Sequence, residues 1–268
     1  MTTPSPYEDV LYEVDGPNAV VTINRADRMN AFRSRTIEEL IHAFKRAWAD
    51  SDVRAVILTG AGDRSFCVGG DVKQRNETGD YGPSENGLFE GVYFHRVIRD
   101  IPKPVIAAVN GLAIGGGHVL HVLCDLSIAA EHARFGQAGP RVGSFDGGFG
   151  SAYLARVVGE KRAREIWFLL EQYSAQDAER WNLVNKVVPK EELLPMAKAW
   201  GEKMAGYSPT ALRFLKASFN ADTDHQSGLS QLSSAGLDTF VLTDEAKEGA
   251  AAFTEKRAPE FTKYLKTH

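Results

Sequence analysis

An α/β fold is predicted from three observations. Arg54 to Thr59 and Val105 to Val109 are short apolar runs rich in β-branched residues, each followed by a glycine-rich stretch, and they read as buried strands. Segments with apolar residues at helical spacing alternate with such runs; one carries Ile37, Leu40, Ile41, Phe44 and Trp48 on a single stripe. From about residue 206 onward the signals are helical alone. Residues 1–205 are therefore expected to form an α/β core and residues 206–268 a helical C-terminal region.

Taken in order, Val10 to Val14 and Ala19 to Ile23 flank Gly16-Pro17-Asn18 as a hairpin. The amphipathic helix and the strand at Arg54 follow. Lys73 to Gly91, rich in Gly, Asn, Asp and Glu, reads as a long loop of the kind that closes over sites. A helix over Glu90 to Arg99 ends before Pro102, and the strand Val105 to Val109 leads into Gly115-Gly116-Gly117 and a helix over His118 to Asp125. Leu126 to Ala130 is a further strand, and Phe135 to Gly150 a glycine-dense loop. Helices are predicted at Ser151 to Val158, Lys161 to Leu170, Ala175 to Trp181 and Glu191 to Ala205, with a strand at Val184 to Val188. Ser208-Pro209 opens a helix through Asn220, and Thr243-Asp244-Glu245 one reaching Lys256.

The chain of 268 residues is long enough to bury a sizeable core, and its composition, 43% hydrophobic and 25% charged, is that of an ordinary globular protein. A formal net charge of −4 argues against a general nucleic-acid binder. Cys67 and Cys124 lack Cys-x-x-Cys spacing, so neither a disulfide framework nor a zinc site is expected. The N-terminal segment lacks a charged-then-apolar targeting pattern, and no apolar run could span a bilayer. A cytoplasmic enzyme without a membrane partner is the expectation.

The two glycine stretches carry the chemistry. Bare backbone at Gly115-Gly116-Gly117 lets a ligand approach the first N–H groups of a helix, which have no internal partner. The stretch Gly60-Ala-Gly-Asp-Arg-Ser-Phe-Cys-Val-Gly-Gly-Asp71 also follows a strand. One N–H from each could meet a single oxygen as an oxyanion hole, where one donor is typically worth about 3 kcal/mol. Tight helix–sheet turns are the plainer reading of either stretch alone. Together, with their spacing, they resemble the crotonase (enoyl-CoA hydratase/isomerase) superfamily over nearly the whole chain. That resemblance implies a repeated ββα spiral, C-terminal helices that build trimers or dimers of trimers, and an acyl-CoA substrate. It places the oxyanion donors at Gly70 and Gly116 and implies no tightly bound cofactor, with coenzyme A entering as part of the substrate.

The reaction does not follow from the superfamily. Its hydratases carry two glutamates at positions that are Val119 and Gly139 here, so ordinary water addition lacks its acid and base. Gly-Gly-Gly-His-Val-Leu-His, Phe135-Gly-Gln-Ala-Gly-Pro-Arg-Val-Gly-Ser-Phe-Asp-Gly-Gly148 and Ala-Arg-Glu-Ile-Trp look instead like the subgroup of 2-ketocyclohexanecarboxyl-CoA hydrolase and 1,4-dihydroxy-2-naphthoyl-CoA synthase. By that resemblance Asp146, with Ser144 beside it, polarises a carbonyl or moves a proton, and Tyr81 closes over the substrate. A bicarbonate, or chloride in its place, would sit by Gly139 with Gln137 and Trp167. Arg28, Lys73, Arg75 and a neighbouring subunit's copy of Lys256 would meet the coenzyme A phosphates. Val241 departs from the subgroup, which has a tyrosine there. The N-terminal segment and Tyr173-Ser-Ala favour the ring hydrolase, Ser-Phe-Asp-Gly-Gly the ring-closing synthase.

Other readings remain. A dinucleotide fold fails the last glycine of Gly-x-Gly-x-x-Gly after Gly60. His118, His121 and Asp125 share a helix face, but core packing explains them better than a metal site. A generic hydratase/isomerase, or a non-catalytic CoA- or RNA-binding protein on the same scaffold, completes the alternatives.

Overall fold

Two sheets divide the strands of the computed structural model, which describes residues 7–264. Residues 1–6, on which the reading of the targeting segment rests, lie outside them. β1 (Val10–Asp15) and β2 (Asn18–Ile23) form the expected hairpin, with Gly16 turning at φ +55°. Helix α1 (Ser34–Ala49) buries Ile37, Leu40, Ile41 and Phe44 as its pattern requires. Trp48, expected on the same stripe, is instead 42% exposed, because the buried face ends at Ala47. β3 (Ala55–Gly60) is wholly buried and runs through a turn into the short β4 (Ser65–Cys67).

The long loop expected from Lys73 to Gly91 is corrected in its first half. α2 (Val72–Thr78) forms there because the Asp71 carboxylate caps its first turn by accepting from the Gln74 N–H, and Gly79 ends it at φ +85°. α3 (Gly91–Asp100) precedes β5 (Val105–Val109), β6 (Leu112–Ile114) and α4 (Gly116–Leu123). β7 (Leu126–Ala130) and β8 (Arg134–Gly136) repeat the pattern. The glycine-dense loop is likewise more structured than expected, with a 3-10 turn at Gly139–Val142 and a π-helical turn at Phe149–Tyr153.

α5 (Leu154–Val158), α6 (Glu160–Leu169), β9 (Gln172–Ser174) and α7 (Ala175–Arg180) follow. β10 (Lys186–Val188) is shorter than the predicted strand because Val184 closes the turn after α7 with a hydrogen bond to the Ala178 carbonyl. α8 (Leu193–Ala205), α9 (Pro209–Ala221), α10 (His225–Phe240) and α11 (Asp244–Glu255) complete the chain before a last short turn.

The larger sheet has the order β1-β2-β3-β5-β7-β10, parallel from β2 onward, and the smaller one the order β4-β6-β8-β9. Each strand of the first that enters the spiral (β3, β5, β7) is followed by one of the second (β4, β6, β8) and then by helix. This is the ββα repeat. Alternate residues of the large sheet serve two cores: Val56 and Leu58 face α1 and α3, whereas Val20, Ile57 and Ile106 face Leu193 and Ala197 of α8. The C-terminal helices close against this body. α10 meets α3 and the π-helical turn, α11 meets α2, and the buried Lys216 of α9 donates to Asp125 and to the carbonyls of Ile98 and Lys103.

A buried ionic cluster joins β1, α1 and the first glycine stretch. Asp9 accepts from Arg33 (2.7 and 2.9 Å) and from the Thr36 hydroxyl (2.6 Å), and Arg25 bridges to Asp71 at 3.1 Å. Burial opposes the ionisation of Asp9, but the hydrogen bonds and charge of Arg33 and Thr36 prevail and hold its carboxyl below the ordinary value. A carboxyl lowered on folding lends stability above its unfolded pKa and loses it as the pH falls through its folded one. Asp9→Asn should therefore lose about 2 kcal/mol at pH 7, and the gap to the wild type should narrow on acidification below pH 4. Thermal melts across pH check this; a gap independent of pH counts against the ionic origin.

Candidate active site

The site is built where the two glycine stretches leave the small sheet. β4 and β6 pair in parallel, so the chain exits side by side at Gly69-Gly70 and at Gly115-Gly116. Contact there tolerates no side chains. A Cβ on Gly69 would stand 2.9 Å from the Gly116 nitrogen, and one on Gly117 only 1.9 Å from the Cys67 carbonyl oxygen. Gly69 (φ +88°) and Gly115 (φ +57°, ψ −127°) also hold backbone angles that favour glycine.

Phe32 forms a parallel bridge to Gly70, its N–H donating to the Gly69 carbonyl and its own carbonyl accepting from the Asp71 N–H. In such a bridge the N–H of the central residue, Gly70, points to the other side. Gly116 is the first residue of α4, where an N–H has no partner within the helix.

Aromatic rings roof these glycines. A Cβ on Gly70 would lie 2.7 Å from the Tyr81 hydroxyl, and one on Gly116 would lie 2.7 Å from the Phe32 ring. The Tyr81 and Phe89 rings meet at a tilt with centroids 4.5 Å apart, and Phe32 adjoins both, stacking on Phe89. Tyr81, expected as a closing group, is thus brought onto Gly70. Behind the roof, Asp71 is fixed by Arg25 and by its cap on α2.

Asp146 sits in the turn before Phe149. Its carboxylate accepts from the Gly150 N–H (3.2 Å), and Gly150 has no room for a side chain because its Cβ would stand 2.6 Å from the Asp146 carboxyl. The Trp167 indole N–H donates to the Gly150 carbonyl at 2.6 Å, pinning the same turn to α6. Burial pushes the Asp146 carboxyl up to about 7, only partly offset by the Gly150 N–H. A carboxyl poised near neutrality can both give and take a proton. The Arg75 guanidinium donates to the Val142 carbonyl (3.0 Å), tying α2, which begins just beyond Gly70, to the segment leading into Asp146.

The other predicted residues divide. Ser144 lies beside Asp146, its N–H donating to the Gly139 carbonyl (2.9 Å). The three residues expected at the anion have neighbours within the chain. A Cβ on Gly139 would meet the Ser144 carbonyl oxygen at 2.8 Å, the Trp167 N–H is taken by Gly150, and the Gln137 amide faces His118 Nδ1 at 3.4 Å. A side chain at Gly139 would therefore run into the Ser144 carbonyl, while the Gln137 Oε1 is buried without a hydrogen-bond partner.

Arg28 and Lys73 are exposed, and Arg28 lies 3.6 Å from Asp27. Lys256 is the exposed C-cap of α11. A cavity of about 300 Å³ between α2 and α11 is lined by Arg75, Asn76, Val241 and Lys247 among others. His118 and His121 meet edge to face at 4.9 Å in the core, and burial pushes both below the ordinary histidine range. Asp125, which shares their face in sequence, is bound by Lys216 and by the Val105 N–H. After Gly60 the chain enters β4 rather than a helix, which removes the dinucleotide reading.

Residues 16–264 match the family model described as enoyl-CoA hydratase/isomerase. The chain belongs to this family. Among solved structures, an enoyl-CoA hydratase from Mycobacterium avium subsp. paratuberculosis K-10 is similar at 28% identity and TM-score 0.84, with 96% of this chain and 100% of that one covered. A carnitinyl-CoA hydratase from Mycobacterium avium is similar at 32% identity and TM-score 0.82, covering 95% and 98%. A monofunctional enoyl CoA isomerase from M. smegmatis is similar at 33% identity and TM-score 0.68, covering 81% and 94%. Proteins named for different reactions thus share this fold. At the two positions assigned to hydratase glutamates, Val119 is buried in α4 and Gly139 presses against backbone.

Sequence reasoning missed Phe32 and Arg25, which shape the first glycine turn, and Ser230 and Ser233 of α10, which accept hydrogen bonds from Phe149 and Gly147. The stability of Asp146 carries a signature. Its raised pKa means the folded state keeps a proton the unfolded chain has lost between about pH 4 and 7, so stability falls as pH rises through that window. Asp146→Asn should consequently gain in melting temperature over the wild type at pH 8 and show little difference at pH 4. Equal differences at both pH values would contradict the burial of a titrating carboxyl.

Proposed function

We propose that the protein acts on a coenzyme A thioester, making or breaking a carbon–carbon bond through a thioester enolate, and that its reaction is hydrolytic ring opening of a cyclic 2-ketoacyl-CoA. The observation that carries this reading is Asp146: burial holds this one carboxyl near neutrality, while the two hydratase positions bear no ionisable group. The Gly70 and Gly116 N–H groups hold the thioester oxygen. Neutral Asp146, with Ser144 beside it, polarises the ring ketone. Water adds to that carbon as Asp146 gives its proton to the ketone oxygen and takes one from the water. The bond to the α-carbon then breaks, its electron pair passes into the thioester enolate, and the proton shed by the new carboxyl group goes to the α-carbon. Protonation of the α-carbon completes an open-chain acyl-CoA with a free carboxylate, one water heavier than the substrate. Because the protonated carboxyl does the polarising, turnover should fall as pH rises above about 7.

Ring closure by the reverse bond change is the second reading, favoured by Ser144-Phe145-Asp146-Gly147-Gly148. The enolate is common to both. Arg28, Lys73, Arg75 and Lys256 are assigned to the phosphates of coenzyme A. A trimer or dimer of trimers is supported by the apolar side chains that α9 and α10 leave in solvent, Phe214 at 70%, Phe219 at 77% and Leu232 at 72% exposed.

Mass spectrometry of products tests the reaction. Cyclic 2-ketoacyl-CoA should gain one water, and Asp146→Ala should lower kcat by about 100-fold or more. Loss of water from 2-succinylbenzoyl-CoA alone would favour ring closure, and hydration of a simple 2-enoyl-CoA alone would overturn the proposal. For assembly, Phe219→Glu should shift the mass measured by light scattering from the oligomer to the monomer; a wild-type monomer rules the assembly out.

A further inference from the structure

Ser230, Ser233, Gly236 and Phe240 recur at three- and four-residue spacing, so they share one face of α10. That face lies along the segment carrying Asp146. The Ser233 hydroxyl accepts from the Gly147 N–H at 2.7 Å, and the Ser230 hydroxyl accepts from the Phe149 N–H at 3.0 Å. A Cβ on Gly147 would stand 2.8 Å from the Ser233 hydroxyl, and one on Gly148 would stand 2.4 Å from the Ser230 nitrogen. The Phe145 ring meets Phe240 at 5.7 Å. The glycines after Asp146 therefore do more than permit a turn; they let the turn press onto α10. A chain with Gly143, Gly147, Gly148 and Gly150 so close together has many conformations to lose, and the two hydroxyls anchor N–H groups on the C-terminal side of the carboxyl.

We propose that Ser230 and Ser233 are positioning residues for Asp146, so that the C-terminal helical region holds the proton-handling carboxyl in place as well as offering a surface for assembly. The role rests on the proposed part of Asp146 in the reaction. The turn is held on both sides of the carboxyl: the Gly150 N–H donates to Asp146, Trp167 of α6 holds the Gly150 carbonyl, and the two serines hold Gly147 and Phe149. Of the charged or titratable groups nearby, His95 and Arg99 of α3 meet the Phe149 ring, and Asp238 of α10 is exposed. Ser233 is not fully buried, so its alanine variant should fold; Ser230 is buried and serves as the second site.

The test reads Asp146 directly and activity separately. With 13C-labelled aspartate carboxyls, the Asp146 signal is identified by its loss in Asp146→Asn and titrated in each variant. Ser233→Ala should move its midpoint from about 7 toward the ordinary aspartate range. It should also lower kcat by about tenfold with little change in KM. Ser233→Thr, which keeps the hydroxyl, should restore both. A moved titration with unchanged turnover supports the clamp while removing Asp146 from the reaction, so the two readings fail separately. An unmoved titration overturns the proposal, whether or not the alanine variants of Ser233 and Ser230 melt earlier.

Discussion

Backbone against backbone at the exits of β4 and β6 is the constraint on which the rest depends. Side chains at Gly69 and Gly117 would run into main-chain atoms of the facing segment, and one at Gly116 into the Phe32 ring. Parallel pairing of two short strands brings the exits together, and the absent side chains bring the peptide planes into contact. What results is a polar, backbone-lined spot on an otherwise apolar fold. Its neighbours confirm how closely it is built: Phe32 bridges Gly70, Tyr81 covers it, and Asp71 is held by Arg25 and by the first turn of α2.

Asp146 obeys a related logic. Its turn is rich in glycine because both sides are crowded, by α10 at Gly147 and Gly148 and by the carboxyl itself at Gly150. Crowding removes water from the carboxyl and raises its pKa, at the expense of stability above pH 4. The Gly150 N–H offsets only part of that cost. In this chain Val119 and Gly139 bear no ionisable group, and the turn before Phe149 carries the carboxyl of Asp146.

Much of this was legible in the sequence, for identifiable reasons. β3 and β5 of the large sheet announced themselves through β-branched apolar runs, because both of their faces are buried. The small sheet did not, since three-residue strands are too short for any period to emerge. α2 escaped because Val72–Thr78 is polar after its first residue, although the capping aspartate and the terminal glycine were both present. Gly70, Gly116, Tyr81 and Asp146 were assigned through the resemblance of their motifs to a family, and the structure brings Tyr81 onto Gly70 and sets Gly69 against Gly116. The trio of Gln137, Gly139 and Trp167 was assigned the same way; that the Ser144 carbonyl lies against Gly139 is set by a backbone path that residue identities do not encode. Ser230 and Ser233 carried no signal, because serine in a helix is unremarkable until the partner turn is placed beside it.

The central claim is that the Gly70 and Gly116 amides converge on a thioester oxygen. Isotope-edited infrared spectroscopy of a bound acyl-CoA carrying a 13C label at the thioester carbonyl tests it most directly. Two backbone donors should lower the carbonyl stretching frequency on binding relative to the same thioester free in water. A bound ligand whose carbonyl frequency stays at or above its value in water would contradict the account.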